Sequence, residues 1–294
     1  MLGVIGDLVQ DVVVWQLEPV RQATDTRSDI VLRRGGSAAN VATLSAPRHP
    51  TRFLGCVGDD AAGRSLRGEL EERGVDVRVQ VRDRTGVIVV LIDEAGERTM
   101  FPSRGASAQL SPVEPAWLDG VEILHVTGYA FETRCATDAV LAAMREVRER
   151  GGLVSLDVSS IGTIEEHGVA GFLDLVQRCA PDFISANRAE SLHLDLADGA
   201  TPGPSLSRFP GAVLLARAGT AATNVFHDGA HLATVPVRPV AEVRDLTGAG
   251  DAFNAGFLTS YLNDGWAPVL NVQAAHALSR RVLHNPGCSE TIGD

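Results

Sequence analysis

The stretch RDLTGAGDAFNAGFL, Arg244 to Leu258, sets three small residues, Gly248-Ala249-Gly250, directly before an aspartate and a helix-patterned run. A helix N-terminus leaves several backbone N–H groups without partners, and the macrodipole adds partial positive charge there. Glycine lets a backbone approach an anion closely. The stretch therefore reads as a preformed anion hole at the mouth of a helix. Phe253, Phe257 and Tyr261 recur every four residues and give that helix an apolar anchoring face. Ala255 and Gly256 permit close packing on a neighbour. Asp251 sits beside the hole, where the helix N-terminus favours its ionised form and lowers its pKa. It can then serve as a general base or only cap the helix, and the local pattern leaves both readings open.

The bulk composition narrows the setting. The chain has 294 residues, 45% hydrophobic and 21% charged, enough for a large core in one α/β unit. A formal net charge of −11 with no basic run excludes nucleic acid as the expected partner. The sequence contains no lysine, so all 26 basic residues are arginine. That excludes a phosphate loop of the GxxxxGK[ST] type and Schiff-base chemistry on lysine. Any anion site must use backbone N–H groups, arginine or a metal ion. Cys56, Cys135, Cys179 and Cys288 make no CxxC pair, which points to a reduced, cytoplasmic setting without structural zinc. The start MLGVIGDLVQD lacks a signal-peptide pattern, and no apolar run is long enough to span a membrane, so no membrane partner is expected.

Along the chain, LGVIGDLVQDVVV reads as a buried strand with a turn at Gly6-Asp7. TRFLGCVG, VEILHVTG, GLVSLDVS, PDFISAN and AVLLARAG read as further buried strands. Helical patterns fall between several of them. Asp59 or Asp60 can cap a helix that Gly74 stops, Ser111-Pro112 suits an N-cap and N1 pair, and TDAVLAAMREVRER ends at Gly151-Gly152. NVFHDGAHLATV is a hairpin turning at Asp228-Gly229. Alternating strands and helices indicate a mostly parallel sheet covered on both faces. Residues 12–34 and 77–103 break the rhythm. They read as antiparallel strands projecting from the sheet, either as a lid or as a simple edge extension, with a turn at Glu94-Ala95-Gly96 in the second.

DLTGAGD, residues 245–251, closely resembles the C-terminal signature of the ribokinase-like (PfkB-type) carbohydrate kinases. GGSAANVA, residues 35–42, resembles the N-terminal signature of that family. GDDAAG (58–63) and NRAE (187–190) match in type and order, so the resemblance spans nearly the whole chain. It implies a three-layer α/β sandwich with a central mostly parallel sheet and a small antiparallel β lid, one kinase domain over 1–294. It implies that Asp251 takes the proton from a substrate hydroxyl while Gly248, Ala249 and Gly250 hold charge on the transferred phosphoryl group. It further implies ATP as donor and Mg2+ held largely through water by Asn187 and Glu190. On the substrate side it implies Asp11, Gly35, Gly36 and Asn40. Asp245 and Thr247, with the loop NPGCSE (285–290), match residues that in many relatives bind a monovalent cation such as K+. In relatives two lids can pair, so a homodimer is expected.

The match departs from the family pattern at several points. Of the usual Gly-x-x-Gly nucleotide loop, RAGTAA (217–222) keeps Gly219, with Arg217 near enough in sequence to reach a phosphate. Only Asp157 remains of a usual Asp-Pro-Asn. Ser37 stands where the strict ribokinase pattern has lysine, and HVTGYAF offers no acid before Glu132. These departures argue against ribose as the acceptor. Arg104 with Ser107-Ala108 is similar to the substrate side of 2-keto-3-deoxygluconate kinases, where an arginine meets the sugar acid. The expected activity is ATP-dependent phosphorylation of a hydroxyl, expected to be primary, on a small sugar or sugar derivative. A nucleoside kinase, with Trp15 and Phe101 as stacking candidates, and a catalytically silent sugar- or nucleotide-sensing relative are the alternatives.

Overall fold

A computed structural model describes residues 1–285 and 287–290. In chain order the strands are β1 (Leu2–Ile5), β2 (Val9–Gln16), β3 (Ser28–Gly35), β4 (Thr51–Val57), β5 (Asp76–Val81), β6 (Gly86–Ile92), β7 (Arg98–Ser103), β8 (Ile123–Thr127), β9 (Leu153–Asp157), β10 (Phe183–Ala186), β11 (Ala197–Asp198), β12 (Thr201–Pro202), β13 (Val213–Ala216), β14 (Thr223–His227) and β15 (Ala230–Val235). The helices are α1 (Ser37–Ser45), α2 (Ala61–Glu72), α3 (Arg134–Glu149), α4 (Ile161–His167), α5 (Val169–Cys179), α6 (Arg188–His193), α7 (Ala249–Asp264) and α8 (Pro268–Leu283).

One large sheet runs β15-β14-β13-β10-β9-β8-β1-β4-β5. Its strands from β13 to β5 are parallel, and the β14–β15 hairpin closes one edge antiparallel. The short, almost wholly buried runs such as Leu2–Ile5 and Phe183–Ala186 fit strands covered on both faces. Two cores result. One packs α3 and α5 against the sheet through Phe131, Phe172 and Met144. The other packs α1, α2, α7 and α8 on the opposite face through Phe53, Phe183 and Phe257. Phe183 meets the Phe257 and Tyr261 rings edge-on, so the expected apolar stripe of α7 does anchor it. A Cβ on Gly256 would press on the Ala275 backbone, which explains why α7 and α8 pack so closely. The result is the layered α/β sandwich with a small second sheet that the sequence suggested. No helix among the described residues is long and apolar enough to cross a membrane.

A second, four-stranded sheet runs β3-β2-β6-β7 and stands off the carboxyl ends of the large one. One pair of its connections runs to β1 and α1. β1 continues through Gly6-Asp7 into β2, and β3 returns into Gly35-Gly36 and α1. The β6–β7 hairpin turns at Asp93–Glu97, where Gly96 takes a positive φ of 82°. Residues 77–81, expected in this small sheet, instead belong to β5, the parallel edge strand of the large sheet. Its Val/Arg/Gln alternation reflects an edge with one wet face. Ser111-Pro112 does not start a helix either. The Ser111 N–H and hydroxyl both donate to Gln80 Oε1 of β5, and the 3-10 turn begins at Pro115.

The GDDAAG stretch joins the two sheets. Asp60 caps α2 through Gly63 N–H at 2.7 Å. The same carboxylate accepts the Thr85 N–H at 2.7 Å and the Thr85 hydroxyl at 2.6 Å, just before β6. These bonds hold the carboxyl below its ordinary value although burial opposes them. Asp60→Ala removes a helix cap and two bonds at the root of the small sheet. The expected loss is about 1–2 kcal/mol in urea unfolding. A midpoint and slope equal to those of the wild type would show that the small sheet is rooted elsewhere.

Candidate active site

The carboxyl ends of the parallel strands converge on one place. Asp7 follows β1, Tyr129 follows β8, Asp157 ends β9, Asn187 follows β10 and Arg217 follows β13. Ligands in open α/β sheets bind at this end. Here the strand ends, the α7 N-terminus and the small sheet enclose a cleft of about 630 Å³.

Asp251 lies on its floor, 9% exposed, at the start of α7. Its Oδ1 accepts the Ser37 hydroxyl at 2.5 Å, and its Oδ2 accepts Asn40 Nδ2 at 2.8 Å. Both donors belong to α1. Asn40 is oriented in turn, because its Oδ1 accepts Arg34 Nη1 at 2.6 Å and Arg34 is held by Glu69 of α2 at 3.1 Å. The expectation that the helix terminus would lower the Asp251 pKa is corrected. Burial dominates and pushes it up to about 7, against the Ser37 and Asn40 bonds, with Asp157 and Asp7 adding repulsion.

The turn before α7 has the form its glycines require. Gly248 is the N-cap in the left-handed region at φ 78°, and a Cβ there would collide with Cys288. A Cβ on Gly250 would collide with the Arg217 guanidinium. Ala249 N–H is engaged with Leu246 O at 3.3 Å. Among the described residues, the N–H groups of Gly250 and Asp251 meet no protein acceptor. Gly248 and Gly250 line the cleft, whereas Ala249 lines the neighbouring cavity described below.

Other sequence candidates fall into place unevenly. Asp11 lines the cleft, and its buried Oδ1 has no hydrogen-bond partner. Burial and the nearby Asp7 push its pKa up to about 6, against Arg34 and Arg104. Gly36, at φ 100°, and Asn40 also line the cleft. Gly35 does not. Its missing side chain makes room for the Asp11 carboxylate. Arg104 reaches the cleft but is already taken. Its Nε and Nη2 donate to the two Glu132 oxygens at 2.8 and 2.5 Å, its Nη1 to Asp7 at 3.3 Å, and it stacks on Tyr129. Arg104 thus enters the cleft already paired with two carboxylates of this chain. Neither Trp15 nor Phe101 lines the cleft; Tyr129 is the aromatic that does.

A second cavity of about 380 Å³ adjoins the first. It is mainly apolar, walled by Val237, Pro239, Val243, Leu246, Phe253 and Leu283. Gly219, at φ 62°, lies at its edge. Asn187, Arg217 and Gly250 line both cavities, so the two meet at the mouth of α7.

At that junction Arg217 Nη2 donates to Asp157 Oδ1 at 2.8 Å, and Asn254 Nδ2 of α7 donates to Asp157 Oδ2 at 2.7 Å. Asn187 and Glu190 form a reciprocal capping box on α6, with bonds of 3.0 and 2.8 Å. Burial and repulsion from Asp157 push the Glu190 pKa up. Asp245 and Thr247, matched by the resemblance to monovalent-cation residues, receive the Arg98 guanidinium from β7. Pro286, within the expected NPGCSE loop, lies outside the described residues.

The model of the pfkB family of carbohydrate kinases matches residues 1–293. The chain belongs to this family. A fructokinase of Klebsiella pneumoniae is 30% identical over 274 residues, covering 90% of this chain and 85% of the relative. The adenosine kinase of Sinorhizobium meliloti superposes with a TM-score of 0.85 at 22% identity, covering 99% of this chain and 96% of its own. An Escherichia coli protein described as a ribokinase II, solved with ATP and Mg2+, superposes with a TM-score of 0.83 at 21% identity, covering 98% and 94%. The protein is thus a PfkB-family sugar or nucleoside kinase. Sequence reasoning missed Ser37, Asp7 and Arg98 as site residues. Ser37 stands inside the GGSAANVA motif, so its position carried a signal; Arg98 sits in a surface-like hairpin and carried none.

Proposed function

We propose that the protein transfers the γ-phosphoryl group of ATP to a hydroxyl of a small, uncharged sugar, with Asp251 as general base. The observation that carries this is the position of Asp251: buried on the cleft floor, bonded by Ser37 and Asn40, and adjacent to the free Gly250 and Asp251 amides. Phosphoryl transfer depends on positioning and on stabilising negative charge as it shifts. The free amides offer donors for the transferred group, with the α7 dipole behind them. The apolar cavity suits the nucleobase of the donor, and Arg217 and Asn187 stand where its phosphates would pass into the cleft.

The donor set also fits Mg2+. Asp157 and Glu190 are buried carboxylates that repel each other, and each keeps oxygen capacity beyond the bonds it makes. Such hard oxygen atoms suit an ion that retains most of its water and is shared with phosphates. When bound, Mg2+ would supply charge neutralisation between donor phosphates. Asp157 and Glu190, with the Asn187 amide, are the residues that would hold it.

The acceptor end favours a neutral polyol. Asp11 offers an unpartnered buried oxygen, and Asn40 and Glu132 add polar groups, all suited to sugar hydroxyls. An acidic acceptor would meet Asp7, Asp11 and Glu132, while Arg104 is already committed to two of these. A nucleoside reading finds no aromatic on the small sheet facing the cleft. An ADP-release screen should therefore favour neutral hexoses and pentoses. Sugar acids and sugar phosphates should fall at least about tenfold behind in kcat/KM, the order expected for one unpaired buried charge. Equal use of sugar acids would overturn the neutral-acceptor reading while leaving the kinase intact.

The ionised carboxylate is the base, so activity should rise as pH climbs through about 7, the value of Asp251. The expected kcat/KM profile has an acid limb with an apparent pKa near that value. Asp251→Asn should lose about 10²–10⁴ in kcat while calorimetry still detects ATP binding. Retained turnover in that variant would remove Asp251 from the chemistry.

The small sheet also carries an apolar outer band. Register places Leu32, Val12, Val89 and Phe101 in one row across its four strands, with Ile30, Val14 and Leu91 beside them. Leu32, Ile30 and Phe101 are 61%, 57% and 56% exposed. A band of this kind usually marks an interface, and a second copy of the small sheet is the matching surface for a homodimer. Light scattering should give a dimer mass for the wild type and a monomer mass for the Leu32→Arg, Phe101→Glu variant. A wild-type monomer at micromolar concentration would rule the dimer out.

A further inference from the structure

Arg98 is a cleft residue that no motif announced. It lies on β7 opposite Ile92, and its side chain reaches from the small sheet to the loop that enters α7. Its Nη1 donates to Thr247 Oγ1 at 2.5 Å, and its Nη2 donates to Asp245 Oδ1. Asp245 is also the internal staple of that loop. Its Oδ1 accepts Thr247 N–H at 2.8 Å, and its Oδ2 accepts Gly287 N–H at 2.8 Å. Burial alone would raise the Asp245 carboxyl, but the bonds from Thr247, Gly287 and Arg98 outweigh it and hold it below its ordinary value. Among the described residues its cationic partner is Arg98, which arrives from the small sheet.

We propose that Arg98 is a positioning residue that fixes the Asp245–Thr247 segment, and through it the Gly248 turn and the free Gly250 and Asp251 amides. The planar guanidinium fork binds a carboxylate and a hydroxyl at once and defines their spacing. Removing it leaves a half-buried carboxylate without its counter-charge, which loosens the loop. Displacements of a fraction of an ångström at such donors are costly for a transition state. The small sheet thus acts on the phosphoryl end of the cleft as well as on the acceptor end. This inference rests on the anion-hole reading given above.

Arg98→Ala tests it by two routes. Hydrogen exchange at the bonded Arg244, Thr247 and Ala249 amides within residues 244–251 should quicken by about tenfold or more in the variant, with exchange in the β8 and β9 core unchanged. That measurement needs no turnover, so it stands even if the kinase reading fails. In the ADP-release assay, kcat should fall by about 10–100-fold while KM for the acceptor moves less than about threefold, the pattern of a lost transition-state interaction. Guanidinium chloride at low millimolar concentration should restore part of kcat and slow the exchange, whereas equimolar urea or sodium chloride should not. Arg98→Lys should fall between the two, because an ammonium cannot present the same fork. Unchanged exchange over 244–251, a kcat within twofold of the wild type, or equal rescue by urea would each overturn the proposal.

Discussion

The site depends on one buried carboxylate that joins the starts of two helices. Asp251 opens α7, and its two oxygens are taken by Ser37 and Asn40 of α1, which lie 214 and 211 residues earlier in the chain. A carboxylate buried this deeply is tolerated only when its lone pairs are matched. The match extends outward, from Asn40 to Arg34 and from Arg34 to Glu69. The GGSAANVA and DLTGAGD segments are therefore two halves of one structure, and the cleft exists because they meet.

The same arrangement sets the chemistry of the carboxyl. Two forces act on Asp251 in opposite directions. The helix terminus and the Ser37 and Asn40 bonds favour the anion, while burial and the charges of Asp157 and Asp7 oppose it. Burial is the largest and carries the pKa to about 7. A base with that value keeps much of its basicity at neutral pH, which a strongly depressed carboxylate would lack. Burial thus both keeps water from the Asp251 carboxyl and raises its proton affinity, and the two effects have one physical origin.

The fold was legible in the sequence wherever signals were local. Short apolar runs bounded by glycines became the parallel strands, and Asp60 and Gly74 bound α2 as their capping chemistry requires. The errors arose where a local pattern serves two architectures. β5 alternates because it is an edge strand of a parallel sheet, and an edge strand of a small antiparallel sheet alternates in the same way. Ser111-Pro112 offered a helix start, but Gln80 from that edge strand claimed the serine first. At the site, the residue types in the motifs were readable, whereas their mutual engagement was not. Nothing in FPSRGASAQLSP shows that Glu132 and Asp7 close on Arg104. Nothing in DEAGERTM shows that Arg98 reaches Asp245, 147 residues away.

The absence of lysine gives these long-range pairs a common logic. Three arginines line the cleft, and each is bound to carboxylate: Arg104 to Glu132 and Asp7, Arg217 to Asp157, and Arg98 to Asp245. A flexible ammonium can leave one partner and follow a moving phosphate, but a guanidinium held in a fork is part of the frame. The arginines therefore fix geometry, and their charge is largely balanced before any ligand enters. What remains unpaired at the mouth of α7 are its free amides, beside the half-buried Arg217 and the carboxylates Asp157 and Glu190, which repel each other and on the proposed reading would hold Mg2+. A frame of paired arginines around unpaired amides concentrates unbalanced donors at the start of α7, which on the proposed reading is where charge shifts during transfer, and leaves few at the other end of the cleft.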